Sequence, residues 1–278
     1  MKVIRAKHAG ACYGVQRALD MAQVSVMDGG EAYTLGPLIH NPRVVSELES
    51  CGVHVAAGVD DIEAGIVIIR SHGVTAEVHA EVERRGLSVI DATCPHVARA
   101  QQAAEDLARQ GCHVVVVGEA GHPEVEGLVS WARRAGGEVC VVADPGNVPA
   151  DLEEPVGIVV QTTQTRESLD SVVDALHARG IEPEVRNTIC FATRQRQNAA
   201  AKLAEQADAI VVIGGRNSSN TTRLAEICSA ICENTHHVES ADELDPVWFA
   251  GCETVGVTAG ASTPEAHIEA VVHALEKM

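Results

Sequence analysis

Three cysteines in this 278-residue chain share one local grammar. Val3-Ile4-Arg5-Ala6 leads through Gly10-Ala11 to Cys12, the apolar run 87–90 leads to Cys94, and Val185 leads through Asn187-Thr188-Ile189 to Cys190. A helix-like run follows each. The first turn of a helix carries unpaired N–H groups and partial positive charge, so sulfur placed there suits thiolate chemistry. Two further polar elements keep step with the cysteines. Twenty-eight residues after each one stand His40, His122 and Ser218, set in Ile39-His40-Asn41-Pro42, Gly121-His122-Pro123-Glu124 and Asn217-Ser218-Ser219-Asn220. A third set, Ser71-His72-Gly73, Thr162-Thr163 and Ala261-Ser262-Thr263, follows the apolar runs 66–69, 158–160 and 255–257. Self-similarity of this kind marks a repeated architecture. Three modules, each offering a sulfur and two polar loops at strand ends, would converge three thiolates and about six loops on one centre.

Strand-like runs fall at 2–6, 32–35, 66–70, 88–91, 112–117, 138–143, 157–161, 183–186, 209–214 and 254–258. Helical patterns lie between them at 14–27, 42–51, 76–85, 97–109, 123–135, 166–179, 193–206, 222–232 and 264–276. Unbroken β-branched runs such as Val114-Val115-Val116-Val117 suit a parallel sheet covered on both faces. The alternation predicts an α/β fold of three pseudo-threefold-related modules, with small parallel sheets around a central cluster and substrate cavity. Cuts near the cysteines give modules 1–94, 95–190 and 191–278, with the first strand free to pair with the third module.

Composition limits the chemistry. A net charge of −18 disfavours nucleic acid, whose phosphates need a basic face. No apolar run approaches the ~20 residues of a membrane helix, and the N-terminus reads as a strand without a signal-peptide core. A cytoplasmic protein is expected. Nine cysteines, an odd number, argue against a secreted disulfide framework. Anion binding survives the acidic balance, because His, Ser, Thr, Asn and helix N-termini can hold phosphate locally.

Two readings compete at each element. Cys12, Cys94 and Cys190 are either small core residues or ligands, and their register favours ligands. Zinc usually brings Cys-x-x-Cys pairs, which this chain lacks. Three thiolates from separate loops suit an iron–sulfur cluster with one iron left without a protein ligand. Cys112, Cys140 and the i,i+4 pair Cys228 and Cys232 read as packing. Glu124 is either a first-turn acid stabilised by the helix dipole or a proton donor whose pKa is raised by desolvation. Thr162, Ser218, Ser219 and Asn220 could cap helices, bind an anion, or do both.

Taken in order, the motifs resemble the 4-hydroxy-3-methylbut-2-enyl diphosphate reductase family. They run from Gly10-Ala11-Cys12-Tyr13-Gly14-Val15-Gln16-Arg17-Ala18 through Asp91-Ala92-Thr93-Cys94-Pro95 and Gly121-His122-Pro123-Glu124-Val125-Glu126-Gly127. Thr188-Ile189-Cys190-Phe191-Ala192-Thr193, Asn217-Ser218-Ser219-Asn220 and Thr258-Ala259-Gly260-Ala261-Ser262 complete the match. Ala11 departs from the aromatic expected before the first cysteine, which concerns packing and not ligation. The resemblance implies a 4Fe-4S cluster on Cys12, Cys94 and Cys190. It implies a substrate diphosphate held by His40, His72, His122, Thr162, Ser218, Ser219, Asn220 and Ser262, with Glu124, Thr162 and His122 at the chemistry. Reductive loss of the substrate hydroxyl would yield isopentenyl and dimethylallyl diphosphates, the last step of the methylerythritol phosphate route. Electrons would come from an external donor such as ferredoxin or flavodoxin. The alternative is a non-redox 4Fe-4S hydratase acting on a related phosphorylated substrate.

Overall fold

The structure is a computed structural model that describes every residue except Asp28. In chain order its elements are β1 (Lys2–Arg5), α1 (Tyr13–Ser25), β2 (Ala32–Leu35), α2 (Pro42–Ser50), β3 (Val53–Ala56), β4 (Ile66–Ile69) and α3 (Ala76–Arg85). Then come β5 (Ser88–Asp91), α4 (Pro95–Arg109), β6 (His113–Val117), α5 (Pro123–Arg134), β7 (Val139–Val142), β8 (Val156–Val160), α6 (Arg166–His177) and β9 (Glu184–Arg186). The last are α7 (Phe191–Ala204), β10 (Ala209–Ile213), α8 (Ser219–Ser229), β11 (Thr235–Val238), β12 (Thr254–Ala259) and α9 (Glu265–Glu276).

The strands form three four-stranded sheets, β1-β12-β10-β11, β5-β4-β2-β3 and β9-β8-β6-β7. Every pairing is parallel. The strand order is the same in all three. In each sheet an edge strand leads to a cysteine, its neighbour leads to a polar loop, and the next strand leads to His40, His122 or Ser218. The fourth strand closes the other edge. In the first sheet the cysteine strand is β1, which pairs with β12 from the far end of the chain.

The valine run of β6 shows why these sheets are parallel and doubly covered. Val114 and Val116 pack with α4 and α5, while Val115 and Val117 pack with α6 on the opposite face. All four are fully buried, and each contributes about 1.5–3 kcal/mol through its burial. β10 divides its residues in the same way, Val211 and Ile213 to one face and Ile210 and Val212 to the other. The close packing leaves Gly256 in β12 no room for a side chain. A Cβ there would stand 2.5 Å from Ile210 Cδ1 and 2.8 Å from Leu203 Cγ. Gly256→Ala is therefore expected to destabilise the protein by about 1–3 kcal/mol, read from urea unfolding; an unchanged midpoint would contradict the packing.

Two strands escaped the sequence pattern. β3 and β11 are four-residue edge strands whose side chains are mostly part-exposed, so neither shows a sustained apolar run. The eighth helix was expected at 222–232 but begins at Ser219, because the Ser218 hydroxyl accepts the Thr221 N–H and caps it.

By contact the described residues fall into two compact units. The first comprises Met1–Gln16, His40–Val44 and Phe191–Met278; the second comprises Arg17–Ile39 and Val45–Cys190. The sheet containing β1 belongs to the first unit and the other two sheets belong to the second. Among the described residues no helix is long and apolar enough to cross a membrane.

Candidate active site

All nine cysteines are thiols, none in a disulfide. Cys12, Cys94 and Cys190 are half-buried and stand immediately before α1, α4 and α7. Their backbones are anchored alike. Cys12 N–H donates to the Ala261 carbonyl at 3.1 Å, Cys94 N–H to the Ser71 carbonyl at 2.9 Å, and Cys190 N–H to the Thr162 carbonyl at 3.0 Å. Each acceptor belongs to the polar loop after the neighbouring strand. The repeat read from residue types is thus a repeat of backbone geometry. Cys12 Sγ also accepts the Val15 N–H at 3.5 Å, at the start of its helix.

The second unit places the acid–base residues together. Glu124, in the first turn of α5, is 2% exposed. Its carboxylate accepts the Thr162 backbone N–H at 2.6 Å and the Thr162 hydroxyl at 2.8 Å. Burial pushes the carboxyl up to about 7 against the two Thr162 hydrogen bonds, which favour the charged form. His122 caps α5, its Nδ1 accepting the Glu124 N–H at 3.1 Å. That contact leaves Nε2 as the proton-bearing nitrogen. Burial first, and then the positive charge of Arg70, hold the imidazole down at about 4, so it is neutral near pH 7. His72 meets His122 edge-on, with ring centroids 5.7 Å apart. A continuous set of contacts therefore runs from Cys190 through Thr162, Glu124 and His122 to His72, next to the Ser71 carbonyl that anchors Cys94. Thr163 lies half-buried beside Thr162.

The first unit gathers the remaining candidates. The Ser262 hydroxyl donates to the His40 carbonyl at 3.0 Å, and Asn41 Nδ2 donates to the Ser262 carbonyl at 2.9 Å. Asn41 Oδ1 accepts the Val44 N–H and caps α2. Ser218 caps α8, and Ser219 and Asn220 form its first turn. Asn220 is 4% exposed, yet neither polar atom of its carboxamide has a hydrogen-bond partner among the described residues. A buried amide left so costs about 1–3 kcal/mol, which a polar ligand would recover. Gly260 and Gly214 are packed against Thr221, leaving no room for a Cβ at either.

Two arginines that residue types alone did not single out hold the approaches to the cysteines. Arg17 in α1 donates to the Asp91 and Thr93 carbonyls, just before Cys94. Arg196 in α7 is buried and donates twice to the Gly10 carbonyl, two residues before Cys12. Thus α1, which follows Cys12, grips the loop before Cys94, and α7, which follows Cys190, grips the loop before Cys12. The sequence signal was present: an arginine lies five or six positions after each cysteine, at Arg17, Arg99 and Arg196.

Each of the three thiols has, by itself, the setting that a cluster thiolate would need. Half-buried thiols at three helix N-termini, on identically anchored loops, are what thiolate ligation needs. Burial raises the thiol pKa values of Cys112, Cys140 and Cys228, that of Cys228 to about 12, which suits packing. Among the described residues no three His, Cys, Asp or Glu side chains are grouped around a point that a single metal ion could occupy. A cubane makes no such demand, because each thiolate binds a different iron.

The Thr162 hydroxyl gives Glu124 a testable signature. In Thr162→Val the backbone N–H remains but one donor to the carboxylate is lost. The Glu124 carboxyl should then titrate above about 7, followed by its infrared C=O band against pH. A titration that stays put or moves down would contradict the hydroxyl's role.

Comparison with known proteins agrees with this geometry along the full chain. A family model described as LytB protein matches residues 3–276. The chain is 49% identical over 280 residues to the 4-hydroxy-3-methylbut-2-enyl diphosphate reductase of Geotalea uraniireducens (strain Rf4), covering 100% of this chain and 98% of that protein. It is 51% identical over 274 residues to the reductase of the same name from Geobacter sp. (strain M21), covering 98% and 96%. A solved (E)-4-hydroxy-3-methyl-but-2-enyl diphosphate reductase, described as the terminal enzyme of the non-mevalonate pathway, superimposes with a TM-score of 0.73 at 43% identity over 100% of both chains. The Plasmodium falciparum E-1-hydroxy-2-methyl-but-2-enyl-4-diphosphate reductase has a TM-score of 0.89 at 23% identity, covering 98% of this chain and 87% of its own, and shows the shared fold. All four carry a reductase name, and the hydratase alternative gains no support from them. The three-sheet α/β architecture, the full-length match and the identity place the sequence in one group: the chain belongs to the LytB protein family.

Proposed function

We propose that this chain reduces (E)-4-hydroxy-3-methylbut-2-enyl diphosphate to isopentenyl and dimethylallyl diphosphates. The single observation that carries the chemistry is the Glu124–Thr162 pair. It is a buried carboxyl with a pKa near neutrality, hydrogen-bonded to a hydroxyl and one loop away from a cysteine. Cys12, Cys94 and Cys190 would hold a 4Fe-4S cluster with one iron free of a protein ligand, supplying electrons and a Lewis acid to the C–O bond.

The side chains do the rest. Hydroxide leaves poorly until it is protonated, so a carboxylic acid at Glu124 must deliver a proton to the departing oxygen. The proton on Glu124 can pass to Thr162 Oγ1, whose own proton moves on to the substrate hydroxyl. Two electrons and two protons balance the reaction: one oxygen leaves as water and the allylic skeleton gains a hydrogen. Thr162 thereby serves in both the relay and substrate binding. His122, whose Nδ1 is taken by the Glu124 N–H, would offer Nε2–H to a diphosphate oxygen. His40, His72, Ser218, Ser219, Asn220 and Ser262 would supply further donors. Holding the diphosphate gives remote binding energy that orients the reacting carbon.

The test is anaerobic purification with iron and sulfide analysis, followed by turnover with reduced methyl viologen. Iron-free protein after reconstitution would sink the proposal. Activity without any reductant would point to the hydratase. A soluble, non-membrane setting is expected for the reaction, with a diphosphate substrate and an external electron carrier such as ferredoxin or flavodoxin as partners.

A further inference from the structure

In a chain of net charge −18, one face is cationic. An open groove of about 430 Å³ in the first unit lies between the end of β1 with the residues after it and the exposed side of α7. Lys7 and His8 stand on one wall, Asn198 and Lys202 on the other, and no acidic residue lines it. The chain has only four lysines, and two of them are here. α7 carries no Asp or Glu along its 14 residues. Its exposed stripe runs Phe191, Arg194, Asn198, Lys202 at three- and four-residue intervals, so these side chains share one face. Lys7, Arg194 and Lys202 form no ion pair among the described residues. Arg194 instead lies over the Phe191 ring, 5.4 Å from its centroid. Arg5, at the rim, is neutralised by Glu265 on α9, whose own surface is acidic.

Exposed aromatic residues begin two helices of the same unit. Only four Tyr and Phe occur in the chain. Two of them are strongly exposed, Tyr13 at 74% and Phe191 at 57%, and each directly follows a candidate cluster ligand, Cys12 or Cys190. The α7 wall of the groove starts at Gln195, five residues after Cys190, and the other wall ends four residues before Cys12. Exposed aromatics beside unpaired cations are the anchors and steering charges of a protein interface. A small anion would instead call for converging, desolvated donors, whereas these cations are spread along about two turns of an exposed helix.

We infer that the groove between Lys7-His8 and α7, together with the exposed Phe191–Lys202 stripe of that helix, is the docking surface for a small, acidic one-electron carrier protein. The inference rests on the reductive function proposed above, since only a redox reaction needs such a partner. Two successive encounters would supply the two electrons, each oxidising the carrier by one. Steering by unpaired cations makes association fast at low salt and weak at high salt.

The test is titration of the protein, with and without its cluster, with a plant-type ferredoxin and separately with a flavodoxin. Calorimetry should show binding of at least one to the wild type, weakening as sodium chloride is raised. Lys7→Glu combined with Lys202→Glu should weaken it at least tenfold, and Arg194→Glu severalfold. Glu269→Lys on the α9 surface should not weaken it. Turnover driven by reduced methyl viologen should match wild type in the double variant, because neither lysine belongs to the active site. Wild-type affinity in the double variant, or no binding of either carrier at low salt, overturns the docking surface. Absence of viologen-driven turnover in the wild type overturns the proposed function instead, and the binding titrations still decide the surface.

Discussion

Glu124→Gln is expected to lower turnover by about 10²–10⁴-fold, the usual worth of a positioned general acid, while fold and substrate binding persist. The carboxamide replaces the carboxyl at nearly equal volume. Its oxygen can keep the Thr162 N–H, and the Thr162 hydroxyl can rotate to accept from the new NH₂. What disappears is the dissociable proton. Stability offers a second reading with a definite sign. The folded-state pKa of Glu124 is raised from 4.5 to about 7, so between these values the native protein holds the proton more tightly than the unfolded chain. Its stabilising contribution is fully present below about 4.5 and is lost as pH rises through about 7. The glutamine variant lacks this dependence. Its thermal midpoint should therefore fall less than that of the wild type between pH 5 and pH 8. Near wild-type turnover, or identical pH dependence of the two midpoints, would remove Glu124 from the proton path.

Why this carboxylate was legible in the sequence, and other groups were not, has a physical explanation. Residue types show a motif when chemistry demands that type at a loop position. His122, Glu124 and Thr162 lie in or just after the loops that follow strands, where polar types at buried positions stand out against the apolar runs beside them. Their spacing from the cysteines therefore showed through. The helices of the described residues showed through as well, because each buries an apolar stripe at helical period, although the start of α8 at its Ser218 cap was placed three residues late. The strands β3 and β11 did not, since an edge strand with part-exposed side chains needs no apolar run. The arginine spacing after each cysteine showed through, but what those arginines grip did not. Arg17 and Arg196 act on backbone carbonyls, and a carbonyl acceptor leaves no trace in residue type. The same holds for the anchoring of Cys12, Cys94 and Cys190 by the Ala261, Ser71 and Thr162 carbonyls. That regularity belongs to the backbone and became visible only with the sheets assembled.

Replacing Cys12, Cys94 or Cys190 singly by alanine is expected to reduce bound iron well below the roughly four atoms per chain of a full cubane, and to take turnover below detection. Alanine removes the sulfur and keeps the small volume, so the helix that follows each cysteine should survive, with circular dichroism as the check. The informative contrast is with the other thiols. Cys228 is fully buried between α7 and α8, and its pKa is pushed up to about 12. Burial disfavours its thiolate, and its place is inside the packed core of the helix pair. Cys112, buried beside α4, has its pKa raised in the same direction. Cys228→Ala and Cys112→Ala should cost some stability through lost packing, yet keep the iron content and the viologen-driven rate. The three ligand positions must also behave alike, because their backbones are anchored alike and a three-thiolate set has no spare member. Full iron in any one of the three alanine variants would break that equivalence, and with it the assignment of a threefold cysteine site to this repeated fold.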